Sequence, residues 1–324
     1  MAGQTIIANA QTLDRVYSCF KDLFMKYLPT ACTPWSNDVA LEITSSTARQ
    51  DYLFPLNAVI MKLWDDERQV SQLNMFSFSI TNRRYQAAIE ISTDQLMDTL
   101  GCSGANLDSF GLHFRQLAYA AAKWKDQRVA AALQSGLTAI SYDGLPFFSA
   151  AHLLNPSDPY SATYSNLWTG ASSALSHSAF STVRAARASR VDGAGNPMCL
   201  QSDILLVPPQ LEGVAKTIVE SEYAGVATIA TGSTAIGSQT NIWKGTARVV
   251  VAPELSNQPT AWYLLDSSSA MKPIIVQTKG APEMNHLQQG SDHHFKTDNM
   301  IFGAVIRGEA GLTSPHFIDR SNGV

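Results

Sequence analysis

Charge is what this chain has least of. Lys and Arg number 23 and Asp and Glu 27 among 324 residues, so 15% of the chain is charged and the formal net charge is 23 − 27 = −4. Globular proteins usually carry about 25% charged residues. The small negative balance excludes a polybasic nucleic-acid binder and an acidic disordered tail. So low a density predicts a surface poor in charge, which suits faces covered by other subunits, because interface cores are depleted in Lys, Glu and Asp. An exterior of Ser, Ala and neutral polar residues would give the same composition. Cysteine is scarce as well: Cys19, Cys32, Cys102 and Cys199, none in a C-x-x-C pair. That excludes a disulfide framework and the common zinc spacings, and it predicts reduced, mostly packed thiols in a protein made in a cytoplasm. No uncharged apolar run reaches the roughly 18–20 residues of a membrane span. Met1 to Ala10 lacks the basic stretch and apolar run of a signal peptide. The reading is a protein soluble when made, with no membrane partner.

What is present is enough for a sizeable core: 45% of residues are hydrophobic, and the length suits about two domains. Leu13, Val16, Tyr17, Phe20, Phe24, Tyr27 and Leu28 recur at helical spacing and predict an amphipathic helix over Thr12–Leu28, stopped by Pro29. It is either an ordinary core-facing helix or an arm laid on a neighbouring subunit. A second, longer helix is predicted to run to about Ser135, capped by Asn106 or Asp108, with Phe110, Phe114, Leu117, Ala121, Trp124, Val129 and Leu133 on its buried side and Gly136 ending it. Met75, Phe76, Phe78 and Ile80, then Tyr85, Ala87, Ile89 and Ile91, alternate with period two around Thr81-Asn82-Arg83-Arg84, which reads as a β-hairpin. Thr228 to Ser238, rich in Gly, Ser and Thr, reads as flexible. Ile204–Val207, Arg248–Val251, Trp262–Leu265, Ile274–Val276 and Met300–Ile306 read as strands. The mixture is α+β, with the middle third a compact unit of its own.

Chemistry is hard to find. Gly232 to Gly237 lacks the Gly-Lys-Ser/Thr of a P-loop, Gly193-Ala194-Gly195 does not link a strand to a helix, and no G-x-S-x-G elbow occurs. His286, His293 and His294 with Asp292 do not have a chelating spacing, since neighbours on a strand point to opposite faces. No metal and no cofactor is expected. His152 near Asp143 could form an acid–base pair for a hydrolase, with no nucleophile in view; a structural His in a turn is the alternative. Arg184, Arg187 and Arg190 repeat at three-residue spacing on a helix. They read as a solvated face, with weak non-specific phosphate contact as the other possibility. Trp64-Asp65-Asp66-Glu67-Arg68 is the densest charge run.

Several stretches, in order, resemble one family. They are Leu63-Trp64 with Glu67-Arg68; Ile80-Thr81-Asn82; Tyr142-Asp143-Gly144 with Phe147-Phe148 and His152; Ser165-Asn166-Leu167; and Asp192-Gly193 with Gly195-Asn196-Pro197. Leu206-Val207-Pro208-Pro209 with Leu211-Glu212, Val250-Val251 with Pro253 and Leu255, Trp262-Tyr263-Leu264, and Lys272-Pro273 with Ile275 follow. Together, from about Ser46 to Asp319, they resemble the major head protein of Mu-like bacteriophages and prophages, in the HK97-type capsid superfamily.

The resemblance implies an HK97-like capsid fold. It places an N-terminal arm at 1–43, an extended hairpin reaching over an adjacent subunit at 44–92, and a peripheral domain at 93–200 with its spine helix at 108–135. An axial domain follows at 201–283, and the chain returns to the peripheral domain at 284–324. It implies a major capsid protein that self-assembles through pentamers and hexamers into the icosahedral shell around phage double-stranded DNA. A separate scaffold, a portal and a decoration protein are the expected partners, with non-specific contact to the packaged DNA. The expected site is the virion, after synthesis in the bacterial host cytoplasm. No catalysis is expected; a tail or decoration protein, and the hydrolase above, are the rival readings. Trp64, Asp65, Asp66, Glu67, Arg68, Arg83 and Arg84 are the candidate inter-subunit contacts, with ion pairs expected from Arg68 or its acidic neighbours.

Overall fold

The structure, a computed structural model, describes residues 10–30, 33–55, 75–95, 107–158, 160–170, 172–230, 233–269, 272–287 and 291–323. Ala10–Tyr27 forms helix α1. Its aromatic stripe closes on the chain's own body: Phe20 and Phe24 are fully buried, and Phe20 stacks on Phe114 at 4.1 Å between centroids and meets Phe302 edge-on at 5.6 Å. An aromatic side chain removes about 150–250 Å² from water, so a stripe of this kind stays with whatever apolar surface lies nearest. Here that surface is internal, and the core-facing reading of α1 is the one realised. Of the arm expected over 1–43, α1 thus lies on the chain's own body, while 1–9, 31 and 32 lie outside the described residues. After a single turn, α2 (Ser36–Val39), residues 40–43 enter strand β1 (Ala40–Thr44) of the body's sheet.

Strands β2 (Arg49–Pro55) and β3 (Met75–Thr81) pair antiparallel, from Arg49 with Thr81 to Pro55 with Met75. β4 (Arg83–Ser92) begins after Asn82 alone. It does not turn back on β3, as the alternating pattern suggests, but pairs with residues 299–308 far along the chain. Asn82 is held in line rather than at a bend. Its Nδ2 donates to the Thr47 carbonyl at 2.7 Å, its Oδ1 accepts from Gln277 Nε2 at 2.7 Å, and its N–H donates to the Ala48 carbonyl at 2.8 Å. The ribbon is therefore β2 with β3, and 83–92, expected as its second half, belongs to the body.

The long helix α3 runs Leu107–Ser135, about 40 Å at 1.5 Å per residue. A Cβ at Gly136 would stand 2.6 Å from the Phe148 ring, so the helix ends where only glycine fits. Short strands β5 (His152–Leu153), β6 (Thr163–Tyr164) and β7 (Leu167–Trp168) follow. Then come α4 (His177–Ala188), capped by the Ser176 side chain, β8 (Ile204–Val207) and α5 (Glu212–Val219). The stretch expected to be flexible is a hairpin: β9 (Tyr223–Ala230) pairs along its whole length with β10 (Ser233–Thr240). In sequence the stretch is rich in Val, Ile and Thr, residue types that favour strands despite the glycines among them. β11 (Arg248–Val251), β12 (Trp262–Leu265), β13 (Ile274–Thr278), β14 (Glu283–His286), α6 (Asp292–Thr297), β15 (Asn299–Leu312) and β16 (Ile318–Ser321) complete the chain.

Two five-stranded sheets organise these elements. In the first, β15 pairs with β4 on one side and with β14 and β13 in succession on the other, and β1 adds parallel to β13. α3 and α1 lie against it over Phe114, Leu117, Trp124 and Phe302. The second sheet has the order β11-β8-β12-β16-β7. One face of it joins the first core through Leu206, Tyr263 and Ile318, and the other packs α4 and α5 through Phe180, Val183, Ala215 and Ile218. The expected boundaries shift for this reason. Residues 274–283, placed in the axial unit, lie in and beside the first sheet, and 318–321, expected back in the peripheral unit, pair with β12 in the second. Both reassignments follow from partners distant in sequence.

Candidate assembly surfaces

The ribbon has two unlike faces. Tyr52 stacks on Phe78 at 5.3 Å, and Phe54 lies 6.2 Å from Phe76 and 5.9 Å from Tyr142 of the body. Phe54 is only 2% exposed and Tyr52 Oη donates to Gln277 Oε1 at 2.8 Å, so the aromatic face rests on the chain's own body at the foot of the ribbon. Of the extended hairpin expected over 44–92, the ribbon's foot and residues 83–92 thus lie on the chain's own body, and 56–74 lie outside the described residues. On the opposite face Leu53 and Met75 are 61% and 54% exposed. Among the described residues β2 and β3 pair only with each other, and β4 only with β15, so each has one open edge. Open edges of this length pair readily with another chain.

Of the candidate contacts, Trp64, Asp65, Asp66, Glu67 and Arg68 lie outside the described residues. Arg83 and Arg84 stand exposed where the ribbon enters the body. Arg83 reaches Glu309 at 3.6 Å. Arg84 lies opposite Arg307 in the β4–β15 register. Neither Arg307 nor Glu309 carries a sequence signal for this role; only the long-range strand register brings them to Arg83 and Arg84.

The acid–base candidate has a different role. His152 Nδ1 and Asp143 Oδ2 are 2.7 Å apart, and both side chains are fully buried. His152 Nε2 is taken by the Phe147 carbonyl at 3.0 Å, so no ring nitrogen is left to face a substrate. Burial pushes the Asp143 carboxyl up, but the His152 hydrogen bond and charge and the Leu145 N–H more than offset it, and the net direction is down. Asp143 therefore contributes stability above the usual carboxylate range and loses it as pH falls through its depressed value. Tyr142 and Tyr164 stack on His152, and His316 in turn packs against both tyrosines. Burial, helped by the Arg190 charge, pushes His316 down to about 3, so it is neutral at pH 7.

Arg184 and Arg187 of α4 and Arg190 just after it are neither a solvated face nor a phosphate contact. Arg187 is fully buried and Arg190 is 5% exposed. Both pair with Asp319 of β16, Arg190 Nη2 to Oδ1 at 2.8 Å. Arg184 donates to the carbonyls of Ser202 and Thr246. A three-residue repeat puts these side chains on one face, and that face turns inward because its counter-charge arrives from the far end of the chain. The histidines go separate ways: His293 to Glu90 at 3.2 Å, His294 to the Asn299 carbonyl at 3.4 Å, and His286 beside Tyr17 at 3.9 Å. Cys19 and Cys199 are free and exposed rather than packed; Cys32 and Cys102 lie outside the described residues.

A polar joint ties the two sheets. Trp35 Nε1 donates to Glu254 Oε2 at 2.7 Å, Lys123 reaches Glu254 at 3.1 Å, and Asp126 Oδ1 accepts from the Ser36 N–H at 3.0 Å. Burial, aided by the Glu254 charge, pushes the Asp126 carboxyl up despite that bond. A raised carboxyl disfavours the folded state once it ionises, so its cost appears as pH rises through the raised value. Asp126→Asn keeps an acceptor for Ser36. It is expected to melt about 1–3 °C above the parent at pH 7, the gap closing in acid where both carry no charge. Thermal melts across pH check this; a variant that melts lower at pH 7 contradicts it.

The comparisons with known proteins agree with this architecture. The model of the family described as "Mu-like prophage major head subunit gpT" matches residues 13–175, 167–255 and 254–322. The major capsid protein of Escherichia phage Mu is 22% identical over 276 residues, covering 85% of this chain and 62% of that protein. The chain thus spans less than two thirds of that relative's length. Among solved structures, the procapsid of bacteriophage JBD30 matches at a TM-score of 0.56 and 19% identity, covering 96% of this chain and 75% of that one. A chain of Microbacterium phage Oxtober96 matches at 0.53 and 7% identity, covering 90% and 91%. These likenesses establish the α+β fold as that of HK97-like phage capsid proteins. With the family model covering nearly the whole length, the chain belongs to the Mu-like prophage major head subunit family.

Proposed function

We propose that the chain is the major capsid subunit of a phage head and closes with copies of itself into an icosahedral shell around double-stranded DNA. The observation that carries this reading is the β2–β3 ribbon, whose two open edges and exposed Leu53 and Met75 sit on a body with a fully formed core. One surface must serve rings of five and of six, so the contacts are heterologous and the rotation closes. Contacts of about 1,000–2,000 Å² each, modest singly, become durable once every subunit is held by several neighbours. The unit with α1, α3 and the first sheet takes the peripheral position, and the unit with α4, α5 and the second sheet the axial one, its β9–β10 hairpin available to ring neighbours. A separate scaffold, a portal and a decoration protein complete the head, assembly begins in the host cytoplasm, and the role is structural rather than catalytic. Electron microscopy of the expressed chain tests it. Closed shells are expected; tubes or flat rings would favour a tail or decoration protein, and a monodisperse monomer at high concentration would overturn the reading.

A further inference from the structure

Trp124 of α3 rests its ring tip on Gly308 of β15, where an added Cβ would stand 2.7 Å from Cη2. A cavity opens on either side of that ring. The larger, about 410 Å³, is lined by Leu28, Pro29, Ala121, Trp124, Pro282 and Ile306 and reaches Thr278 of β13. The smaller, about 160 Å³, shares Ala121, Trp124 and Ile306 but reaches Tyr85 of β4. β13 and β4 flank β15 on opposite sides, so the ring stands between the two spaces. Protein interiors hold few voids larger than a water molecule, and two around one side chain are an exception. Trp124 is 5% exposed, yet its indole N–H is buried with no acceptor among the described residues. Native structures pair nearly all such groups. Because the ring borders both cavities, an acceptor can approach that N–H through them.

We propose that the larger cavity binds a small uncharged molecule with an aromatic or alicyclic body and one carbonyl oxygen, which accepts from Trp124 Nε1. Size is the first argument: the cavity falls within the roughly 300–1,000 Å³ of small-molecule sites, which join mostly apolar walls to a few placed polar groups. Charge is the second. Among the described residues the ionic groups in its wall are Lys125 and Glu42, and these already neutralise each other at 2.6 Å. An acid or an amine would enter without a counter-charge, which burial penalises heavily. The unpaired N–H is the third, since it asks for an acceptor and has none. A trapped water is the weaker occupant. It needs about two to four polar partners, whereas Ala121 and Ile306 beside the ring offer apolar surface. The site lies within one subunit, so it does not rest on the shell reading.

Two probes of one shape decide it: acetophenone, which carries C=O, and α-methylstyrene, which carries C=CH2 in its place. On the full chain, acetophenone at about 0.5 mM is expected to raise the melting temperature by about 1–3 °C. It is expected to bind about 5-fold or more tighter than α-methylstyrene, the difference one hydrogen bond makes. Trp124→Phe keeps an aromatic ring and removes the donor, so that preference is expected to vanish. Ala121→Leu fills the space. It is expected to melt at or above the parent's temperature while neither probe shifts it, which separates lost binding from lost folding. The comparison on the unaltered chain stands even where Trp124→Phe fails to fold. The proposal is overturned if neither probe shifts the parent, if the two bind it equally, or if the preference survives in Trp124→Phe. Undiminished binding to Ala121→Leu would overturn it as well. So would assembled particles that exclude probes bound by free subunits, a result that gives the cavity to a neighbouring copy.

Discussion

Asp319→Ala is expected to remove about 3–5 kcal/mol of stability, enough to leave most of the chain unfolded or aggregated. The carboxylate is 1% exposed and sits between two buried guanidinium groups, Arg187 of α4 and Arg190 just beyond its end. Burial pushes Arg187 down and Asp319 opposes that push; without the carboxylate two buried cations repel each other with no counter-charge. Asp319→Asn keeps acceptor geometry and should lose less. Converting all three residues to apolar ones, which is often neutral for an isolated buried triad, should not rescue this site. Arg187 also donates to the carbonyls of Leu264, Gln201 and Phe317, and Arg190 to those of His316 and Ser165. The Phe317 carbonyl would keep the Asp266 N–H, but the other four would each lose a donor, and a buried acceptor left unsatisfied costs about 1–3 kcal/mol. Denaturant titration of the subunit gives the numbers. A loss below about 1 kcal/mol for Asp319→Ala would show that the triad is dispensable.

The second large effect is expected at Gly308. It pairs with Arg83 on one side and Thr278 on the other, at the one register position where β15 is flanked by both β4 and β13. A Cβ there would overlap the Gln277 carbonyl oxygen and stand 2.7 Å from Trp124 Cη2. Trp124 could rotate; the carbonyl is fixed by the sheet. Gly308→Ala should therefore cost about 3 kcal/mol, the upper end for overpacking, and pairing it with a smaller residue at 124 should recover only part. Gly303→Ala on the same strand is the control. Its nearest neighbour would be the Ala87 carbonyl oxygen at 3.6 Å, an ordinary contact, and the loss of unfolded-state freedom makes it neutral or stabilising by about 0.5 kcal/mol. Equal destabilisation at both positions would locate the effect in strand propensity rather than in close approach.

Local order was legible in the sequence and long-range pairing was not, for one physical reason. A helix closes its hydrogen bonds within four residues, so the spacing of Phe20 and Phe24, or of Phe114, Leu117 and Trp124, carries the element and its buried face. A strand finds its partner anywhere. The alternation through Ile80 and Tyr85 marked two strands correctly, but β4 belongs to a partner more than two hundred residues away, and nothing in Thr81-Asn82-Arg83-Arg84 says so. The Arg184, Arg187 and Arg190 repeat failed for the same cause: its spacing shows one face, and only Asp319 shows that it is inward. The Asp143–His152 pair was visible as a pair; its burial and the Phe147 carbonyl that occupies Nε2 were not. Arg84 was named from its place beside the ribbon, but its opposition to Arg307 exists only once β15 is laid down.

β15 has a mechanical consequence. One unbroken strand of 14 residues is hydrogen-bonded to β4 on one flank and to β14 and β13 on the other, then passes through Pro315–Phe317 into β16, between β12 and β7 of the second sheet. A stretch applied across the two units therefore runs along strands rather than across them, loading many ladder bonds in shear at once instead of unzipping them singly. A wall tiled from such subunits would resist an outward push with its peptide backbone as the cable, and would yield first where the cable is spliced, at the short turn between Thr313 and Phe317.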